Sequence, residues 1–253
     1  MAIQAQAAVT VRYTPSPLMR PSSNKTLAIM QPYLLPYLPY FQLISVVDVF
    51  VILDDVNFIN RGWINRNLIL LGSQPHRITL QLRGSSQNKL INEIRVGENA
   101  LKMLETVRHA YVKAPNFPAV YPVIERALIQ TERNLARYLR NTLEITCQSL
   151  AIDTPLLFSS DIKISAGSSG KQRILDICHR LGAGRYINPI GGQDLYDRRD
   201  FATAGIELFF LQGEPEPYRQ YADPFQPCLS ILDVMMFCTP ADIQQRITQF
   251  RLA

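Results

Sequence analysis

The stretch TLAIMQPYLLPYLPYFQLISVVDVFVILDD, residues 26–55, decides the fold of this chain. Two short apolar runs, 26–31 and 49–55, flank a proline-rich turn and a helical pattern over 37–48. A buried strand, a tight loop, a helix and a second buried strand form a βαβ unit, which takes about 30 residues. The stretch therefore predicts an α/β fold with a mostly parallel, Rossmann-like sheet.

Strand and helix patterns alternate again further along the chain. Apolar runs predict strands, and the 3.6-residue period predicts helices in the middle and at the end. The predicted strands cover 76–82, 154–161 and 205–212; the predicted helices cover 100–112, 116–132, 134–151, 229–238 and 239–250; and 164–189 predicts a Gly/Ser loop, a helix and a strand. We expect one α/β domain over residues 26–253, with a helical insertion around 96–151, preceded by a disordered tail over 1–25.

Composition narrows the class of protein. The chain has 253 residues, 47% of them hydrophobic and 19% charged, which is typical of a globular protein with a sizeable core. The net charge is +5, but residues 1–26 hold Arg12, Arg20 and Lys25 and no acid, so the excess lies largely in the tail. The sequence has no dense cluster of basic residues of the kind that indicates a nucleic-acid surface. It also has no apolar run long enough to span a bilayer.

The four cysteines form no CxxC pair, and no spacing of Cys, His or acids is typical of a metal site. Cys147 and Cys178 lie in apolar helical patterns. We therefore expect reduced thiols in a cytoplasmic protein, none of them a nucleophile, with neither a metal nor a cofactor.

The proline-rich turn follows the first predicted strand, and Asp54 and Asp55 end the second. Parallel strands end at the same edge of a sheet, where open α/β sheets bind ligands. We expect Tyr33, Asp54 and Asp55 to be catalytic, with one acid as the general base. Three further residues of the turn and its helix, namely Gln31, Tyr37 and Tyr40, are expected to bind substrate.

The segment VNFINRGWINRNLIL, residues 56–70, is rich in Asn and Arg around the single tryptophan. Guanidinium groups suit a carboxylate or phosphate, and an indole suits a sugar or base. The predicted substrate-binding residues here are Arg61, Trp63, Asn65, Arg66 and Asn67, together with Asp161 at the end of a later strand. A weaker phosphate site is predicted at Ser168, Ser169, Lys171 and Arg173, where a Gly/Ser loop opens a helix.

The order of these elements resembles the nucleotidyltransferase superfamily and the class I aminoacyl-tRNA synthetases. In those proteins a strand, a proline-containing turn with paired histidines, a helix and a second strand hold a nucleotide. Tyrosines replace the histidines here. Because the histidines stabilise the transferred phosphate, the resemblance covers the layout and not the phosphate chemistry.

The motifs QPYLLPYLPYFQLI, DVFVILDDVNFINRGWINRN, SSD, RILDICHRLGAGRYIN, GIELFF and PFQPCLSILDVM are similar, in this order, to those of the WbqC-like family. The resemblance implies a bacterial cytosolic protein, often encoded among genes for surface polysaccharides or other specialised products, and implies transfer of an acyl or aminoacyl group. The matching residues are Gln31, Pro32, Tyr33, Pro36, Tyr40, Asp54, Asp55, Arg61, Trp63, Asn65, Arg66, Asn67, Asp161, Gln226 and Asp233. Asn57 and Asn60 stand where Gln and Lys are commoner in the family.

Three functions remain open from the sequence. The first is an acyl or aminoacyl transferase that acts on a small amine or amino sugar, with a carrier-bound acyl donor. The second is a nucleotide-dependent enzyme that holds phosphate at Lys171 and the Gly/Ser loop. The third is a non-catalytic module that binds a sugar nucleotide or a carrier protein. The expected partner is a small-molecule substrate, together with a carrier-bound acyl donor in the first case; we expect neither a nucleic-acid partner nor a membrane span.

Overall fold

A computed structural model describes residues 25–164, 167–214 and 216–253. The strands are β1 (Lys25–Met30), β2 (Val49–Ile52), β3 (Arg66–Leu71), β4 (Gln74–Thr79), β5 (Leu82–Arg83), β6 (Arg95–Val96), β7 (Leu156–Phe158), β8 (Ala183–Pro189), β9 (Glu207–Gly213) and β10 (Phe250–Leu252). The α-helices are α1 (Leu38–Ser45), α2 (Ala100–Tyr111), α3 (Phe117–Leu128), α4 (Leu135–Ser149), α5 (Gly170–Arg180), α6 (Arg198–Thr203), α7 (Ile231–Phe237) and α8 (Pro240–Ile247). Short 3-10 turns span Ile91–Glu93, Ser159–Asp161 and Ile190–Leu195.

Six strands form the central sheet in the order β10-β9-β8-β1-β2-β7. All neighbours are parallel except β9 and β10, which are antiparallel. The predicted α/β fold with a mostly parallel, Rossmann-like sheet is therefore confirmed. When the six strands of this sheet are numbered 1 to 6 in chain order and read across the sheet from β7, their order is 3-2-1-4-5-6. The direction of winding reverses between β1 and β8.

Both faces of the sheet are covered, which explains why its strands are continuous apolar runs rather than alternating ones. On β1, Leu27 and Ile29 pack with the α5 and α6 side of the core, whereas Ala28 packs with the side that contains α1. This division follows from the two-residue period of a strand. The result is a three-layer α/β/α arrangement around β1.

The path from β2 to β7 is long. It contains the β3–β4 hairpin, the β5–β6 pair and the helices α2, α3 and α4. These three helices lie within the range of the predicted insertion. The predicted tail falls on residues 1–24, which lie outside the described residues, and Lys25 already belongs to β1.

Three strands were not predicted from the sequence. β3 lies in the Asn- and Arg-rich segment, β6 has only two residues, and β10 forms the antiparallel edge at the end of the chain. The last predicted helix, 239–250, ends at Ile247, so Phe250 belongs to β10. The start of that helix is as predicted: Thr239 caps it, and Pro240 occupies its first turn. No helix in the described part of the chain is long and apolar enough to cross a bilayer.

The proline-rich turn after β1 is fixed by hydrogen bonds from other elements of the fold. Asn67 Nδ2 donates to the carbonyl oxygens of Leu34 (3.0 Å) and Leu35 (2.7 Å). The hydroxyl of Ser230, at the start of α7, donates to Leu35 O as well, at 2.7 Å. Because prolines offer no N–H donors, the carbonyl groups of the turn depend on donors from β3 and α7.

A buried carboxylate joins α7 to α2. Asp233 Oδ1 accepts a hydrogen bond from the Tyr111 hydroxyl at 2.9 Å. Its Oδ2 accepts from the Tyr218 hydroxyl and from Gln220 Nε2, both at 2.7 Å. Burial raises the pKa of Asp233, although the three hydrogen bonds oppose that rise.

We predict that Asn67→Ala lowers the free energy of unfolding by about 1–3 kcal/mol, because it leaves buried carbonyl groups of the turn without a donor. Asn60→Ala is the matched control. Asn60 is exposed on the preceding loop, so its replacement should change the free energy by less than about 0.5 kcal/mol. Urea unfolding of both variants measures the difference, and equal losses would contradict the proposed anchoring.

A second prediction concerns pH. Since the pKa of Asp233 is raised on folding, its contribution to stability is complete below the unfolded pKa of about 3.9 and is lost as pH rises through the folded pKa. The wild-type protein should therefore lose stability relative to Asp233→Asn as the pH rises from about 4 towards neutrality. Urea unfolding at several pH values checks this, and a relative gain by the wild type would contradict it.

Candidate functional site

A cavity of about 540 Å³ opens where the winding of the sheet reverses, at the carboxyl ends of β1 and β8. This is the place at which open α/β sheets bind ligands. Its walls are formed by Ile29, Met30, Gln31, Tyr33, Pro36, Tyr37, Leu53, Ile59, Trp63, Asn67, Ile174, Asn188, Pro189, Gly191, Gly192, Leu195, Tyr196 and Cys228. We call this the switch-point cavity. Among the described residues its lining offers amides, phenols, an indole, a thiol and apolar groups, but no carboxylate or amine.

The phenols of the switch-point cavity are hydrogen-bond donors at neutral pH. Tyr33 and Tyr37 are half-buried, and burial is the main cause that raises the pKa of each hydroxyl above its usual value. Burial likewise raises the pKa of Tyr196 on the opposite wall. These groups keep their protons and can donate to carbonyl or hydroxyl oxygens of a ligand.

Tyr40 has a different position from the other predicted tyrosines. It is almost fully buried, its hydroxyl donates to Gln31 O at 2.8 Å, and its ring packs on Phe50 with centroids 5.3 Å apart. The Tyr33 ring lies against it at 5.5 Å. Tyr40 therefore fixes the turn that carries Gln31 and Tyr33, and it does not line the switch-point cavity.

Asp54 is buried and lies outside the lining of the switch-point cavity. Its Oδ1 accepts from the Ser159 hydroxyl and from Ser160 N, both at 3.0 Å. Its Oδ2 accepts from the Ser160 hydroxyl at 2.7 Å and from Asn92 Nδ2 at 3.1 Å. Four donors thus surround this carboxylate, which ties the end of β2 to the end of β7.

Asp55 also lies outside the switch-point cavity. It forms an ion pair with Arg173, in the first turn of α5, and its Oδ1 shares the single proton of the Ser159 hydroxyl with Asp54 Oδ1. Both partners of the ion pair are largely buried, with side-chain exposures of 21% for Asp55 and 16% for Arg173. This ion pair links α5 to the end of β2.

Two of the other three predicted phosphate ligands also have partners within the protein. Lys171 forms an ion pair with Asp200, and the Ser168 hydroxyl donates to Asp176. Ser169 is the N-cap residue of α5, but its side chain makes no capping hydrogen bond. None of these residues lines the switch-point cavity.

The predicted residues around the tryptophan divide into three groups. Trp63 lines the switch-point cavity with 46% of its surface exposed, and Asn67 lines it while holding the turn. Asn65 is buried and donates to Leu80 O at 2.8 Å, away from the cavity. The two arginines Arg61 and Arg66 lie beside Trp63, outside the lining, and Asp161 is exposed elsewhere on the surface.

The sequence prediction missed the wall that follows β8. Asn188, Pro189, Gly191 and Gly192 line the switch-point cavity, as does Tyr196. At Gly192 a Cβ atom would collide with the Asn188 amide nitrogen, so a larger residue would force the Asn188 side chain to move. A glycine pair directly after a predicted strand, in INPIGG, is the signal that could have identified this wall.

A second, smaller cavity of about 200 Å³ adjoins the first. Its lining is mostly apolar and comes from β1, α1, β9, α7, α8 and the segment before α7, with Glu214, Glu216 and Arg246 among the few charged groups. We call it the apolar cavity. It shares the four wall residues Met30, Tyr37, Pro189 and Cys228 with the switch-point cavity.

The cysteines fall into two environments. Cys147 and Cys178 are buried, and burial raises the pKa of each thiol to about 12, which makes them unreactive. Burial also raises the pKa of Cys238. Cys228 is exposed and lies on the shared wall. All four thiols are free, and no group of three or more His, Cys, Asp or Glu residues in the described ranges could hold a metal ion.

Comparison with known proteins identifies the family. The chain is 27% identical over 216 residues to the uncharacterized protein Rv1507c of Mycobacterium tuberculosis (strain ATCC 25618 / H37Rv), a match that covers 83% of this chain and 93% of that protein. No solved structure matches the chain. The model of the WbqC-like protein family matches residues 31–245, which include the proline-rich turn and every lining residue of the switch-point cavity except Ile29 and Met30. The chain belongs to the WbqC-like protein family.

Proposed function

We propose that this protein transfers an acyl or aminoacyl group to the amine of a small molecule such as an amino sugar. The observation that carries the proposal is the wall that two adjoining cavities share. The larger switch-point cavity and the smaller apolar cavity, both with mostly apolar linings, meet at Tyr37 and Cys228. This arrangement fits a reaction that joins a hydrogen-bonding acceptor to a less polar acyl group.

The switch-point cavity suits the acceptor. Its volume lies within the range of small-molecule sites, and it combines apolar walls with a few polar groups. Gln31, Tyr33 and Asn188 offer amide and phenol groups to hydroxyl groups of a sugar, and Trp63 offers a flat face to a sugar ring. The described lining residues carry no carboxylate or amine, which favours an uncharged moiety here.

The apolar cavity suits the acyl chain, and the reaction takes place at the shared wall. The amine nitrogen of the acceptor attacks the carbonyl carbon of an activated acyl donor, such as a carrier-bound thioester. A C–N bond forms, the bond to the leaving group breaks, and the amine proton passes to the leaving group or to solvent. The protonated Tyr37 hydroxyl donates to the carbonyl oxygen as negative charge develops on it.

The two acids have supporting roles in this scheme. Asp54 and Asp55 lie outside both cavity linings and accept hydrogen bonds from groups of the protein. They position the end of β2 and the start of α5 rather than deprotonate the acceptor. An amine in its neutral form is already a nucleophile, so the scheme requires no protein nucleophile and no cofactor.

A nucleotide-dependent enzyme is the second candidate, and the strand order favours it. The order 3-2-1-4-5-6 is that of dinucleotide-binding domains, with the ligand at the switch point. Against it, Lys171, Arg173 and Ser168 are already bound to acids of the protein.

We place the proposed transfer in bacterial polysaccharide or specialised-metabolite biosynthesis in the cytoplasm, where four free thiols are expected to stay reduced.

We predict that Tyr37→Phe lowers the turnover of amine acylation by about 10²-fold or more, because it removes a donor to the developing oxyanion. Cys228→Ser, on the same wall, should retain turnover within about threefold, since the scheme uses no thiol nucleophile. The assay combines amino-sugar acceptors with acyl and aminoacyl thioester donors and detects products by mass spectrometry. Loss of turnover in folded Cys228→Ser, with Tyr37→Phe active, would replace this scheme by a thiol mechanism.

We further predict that Asp54→Asn acts on stability. An amide nitrogen in place of a carboxylate oxygen would face donors, which should cost about 1–3 kcal/mol of unfolding free energy. The pH dependence of turnover should keep the wild-type shape, because Asp54 is not the base in this scheme. Urea unfolding and a pH–rate profile measure the two effects, and loss of the acidic limb of the profile would restore Asp54 as a base.

A further inference from the structure

Three arginines lie together on the surface beside the switch-point cavity. In the β3–β4 hairpin, Arg66 lies opposite Thr79, and Leu68 lies opposite Arg77. Directly opposed residues project from the same face of a sheet, so Arg66 and Arg77 are diagonal neighbours on one face. Arg61, in the loop before β3, is close enough for its charge to act on Arg66. We call Arg61, Arg66 and Arg77 the arginine cluster.

The arginine cluster has no carboxylate partner. None of its members forms an ion pair among residues 25–164, 167–214 and 216–253. The remaining residues, 1–24, 165, 166 and 215, contain no Asp or Glu. The acidic side chains of the sequence therefore all belong to the described part of the chain, and none of them neutralises the cluster.

The three positive charges of the arginine cluster repel one another. The pKa of Arg66 is lowered first by partial burial and then by the charges of Arg77 and Arg61. Six other arginines of the described residues form ion pairs with acids, as in Arg83 with Glu98 and Arg185 with Glu207, and nine do not, so the cluster differs by gathering three unpaired guanidiniums in one place. A group of unpaired guanidiniums is favourable when an anion joins it, because guanidinium groups bind phosphate oxygens in a bidentate manner.

The cluster adjoins the rim of the switch-point cavity. Arg66 Nε donates to Gly62 O at 2.8 Å, which places its guanidinium one residue from Trp63. Trp63 lines the cavity and is 46% exposed, and Ile59 on the same loop lines it and is 51% exposed. The contact with Gly62 therefore places Arg66 next to the part of the rim that Trp63 forms.

We propose that the arginine cluster binds the pyrophosphate of a nucleoside diphosphate conjugate, whose uncharged moiety occupies the switch-point cavity. The three guanidiniums suffice to neutralise the two negative charges that the pyrophosphate diester of such a conjugate carries. The inference uses the acceptor cavity of the proposed function and names its ligand class. It does not depend on the transfer reaction, because binding needs no acyl donor.

The single tryptophan of the chain, Trp63, gives a direct readout. Uridine 5′-diphosphate and inorganic pyrophosphate are titrated into the full-length protein without any acyl donor, and the fluorescence of Trp63 is followed. We expect saturable binding of both probes that weakens as the salt concentration rises. Arg66→Gln should weaken the binding of each probe by about tenfold or more, and Arg61→Gln and Arg77→Gln should each weaken it by about threefold or more.

Arg83→Gln is the matched control. Arg83 is an exposed arginine on β5 that already has a partner in Glu98, so its loss should leave the affinity within about twofold. Circular dichroism and thermal unfolding confirm that each variant is folded. The salt dependence of the wild type provides a test that does not rely on any variant.

The proposal is overturned if neither probe gives saturable binding up to about 10 mM, a range that includes weak millimolar affinities. It is also overturned if the three variants bind as well as Arg83→Gln does. A short single-stranded RNA that binds more tightly than uridine 5′-diphosphate, with the same dependence on the cluster, would replace the small molecule by a nucleic acid. Binding without any acylation would retain this inference and contradict the proposed transfer, whereas acylation of acceptors without phosphate would do the reverse.

Discussion

Three consecutive carbonyl groups in the turn after β1 make the rest of the site possible. Leu34 O and Leu35 O accept from Asn67, Leu35 O accepts also from Ser230, and Pro36 O accepts from Ile231 N at 2.9 Å. Prolines stiffen the turn but deprive it of donors, so it cannot satisfy its own carbonyl groups. The donors come from β3 and α7, which lie far away in the chain. The turn therefore forms one wall of a cavity only after both ends of the fold have packed around it.

Partners that are distant in the sequence also determine the environment of Asp54 and Asp55. Two adjacent aspartates after β2 suggest a catalytic pair when the sequence is considered alone. In the structure the Ser159 hydroxyl lies between them, Ser160 completes the shell of Asp54, and Arg173 binds Asp55. Those partners follow β7 or lie in α5, more than 100 residues away in each case. A carboxylate with such a shell joins elements and leaves the adjoining cavity without negative charge.

Much of the fold could be predicted because its signals are local. The β1–α1–β2 unit has apolar runs of strand length and a proline at the start of the helix, and Thr239 with Asp242 forms a capping box. β3 was missed because Asn65 and Asn67 face inwards and bind backbone carbonyl groups, so the apolar pattern of that strand is interrupted. β10 was missed because it has three residues and depends on pairing with β9. The wall after β8 could not be derived without the strand order, since only that order places Asn188 beside Gln31.

Charge is distributed around the cavity in a way that the fold alone does not require. Arg173 and Lys171, on α5, are neutralised by Asp55 and Asp200. On the opposite side, Arg61 and Arg66 with their hairpin neighbour have no acid, although the chain holds 21 acidic side chains. Stability would favour an acid near these arginines, because unpaired like charges repel. A positive rim beside an uncharged cavity therefore lowers the stability of the free protein. Binding of a ligand with an uncharged moiety and an anionic end would offset that loss, because such a ligand stabilises the folded state.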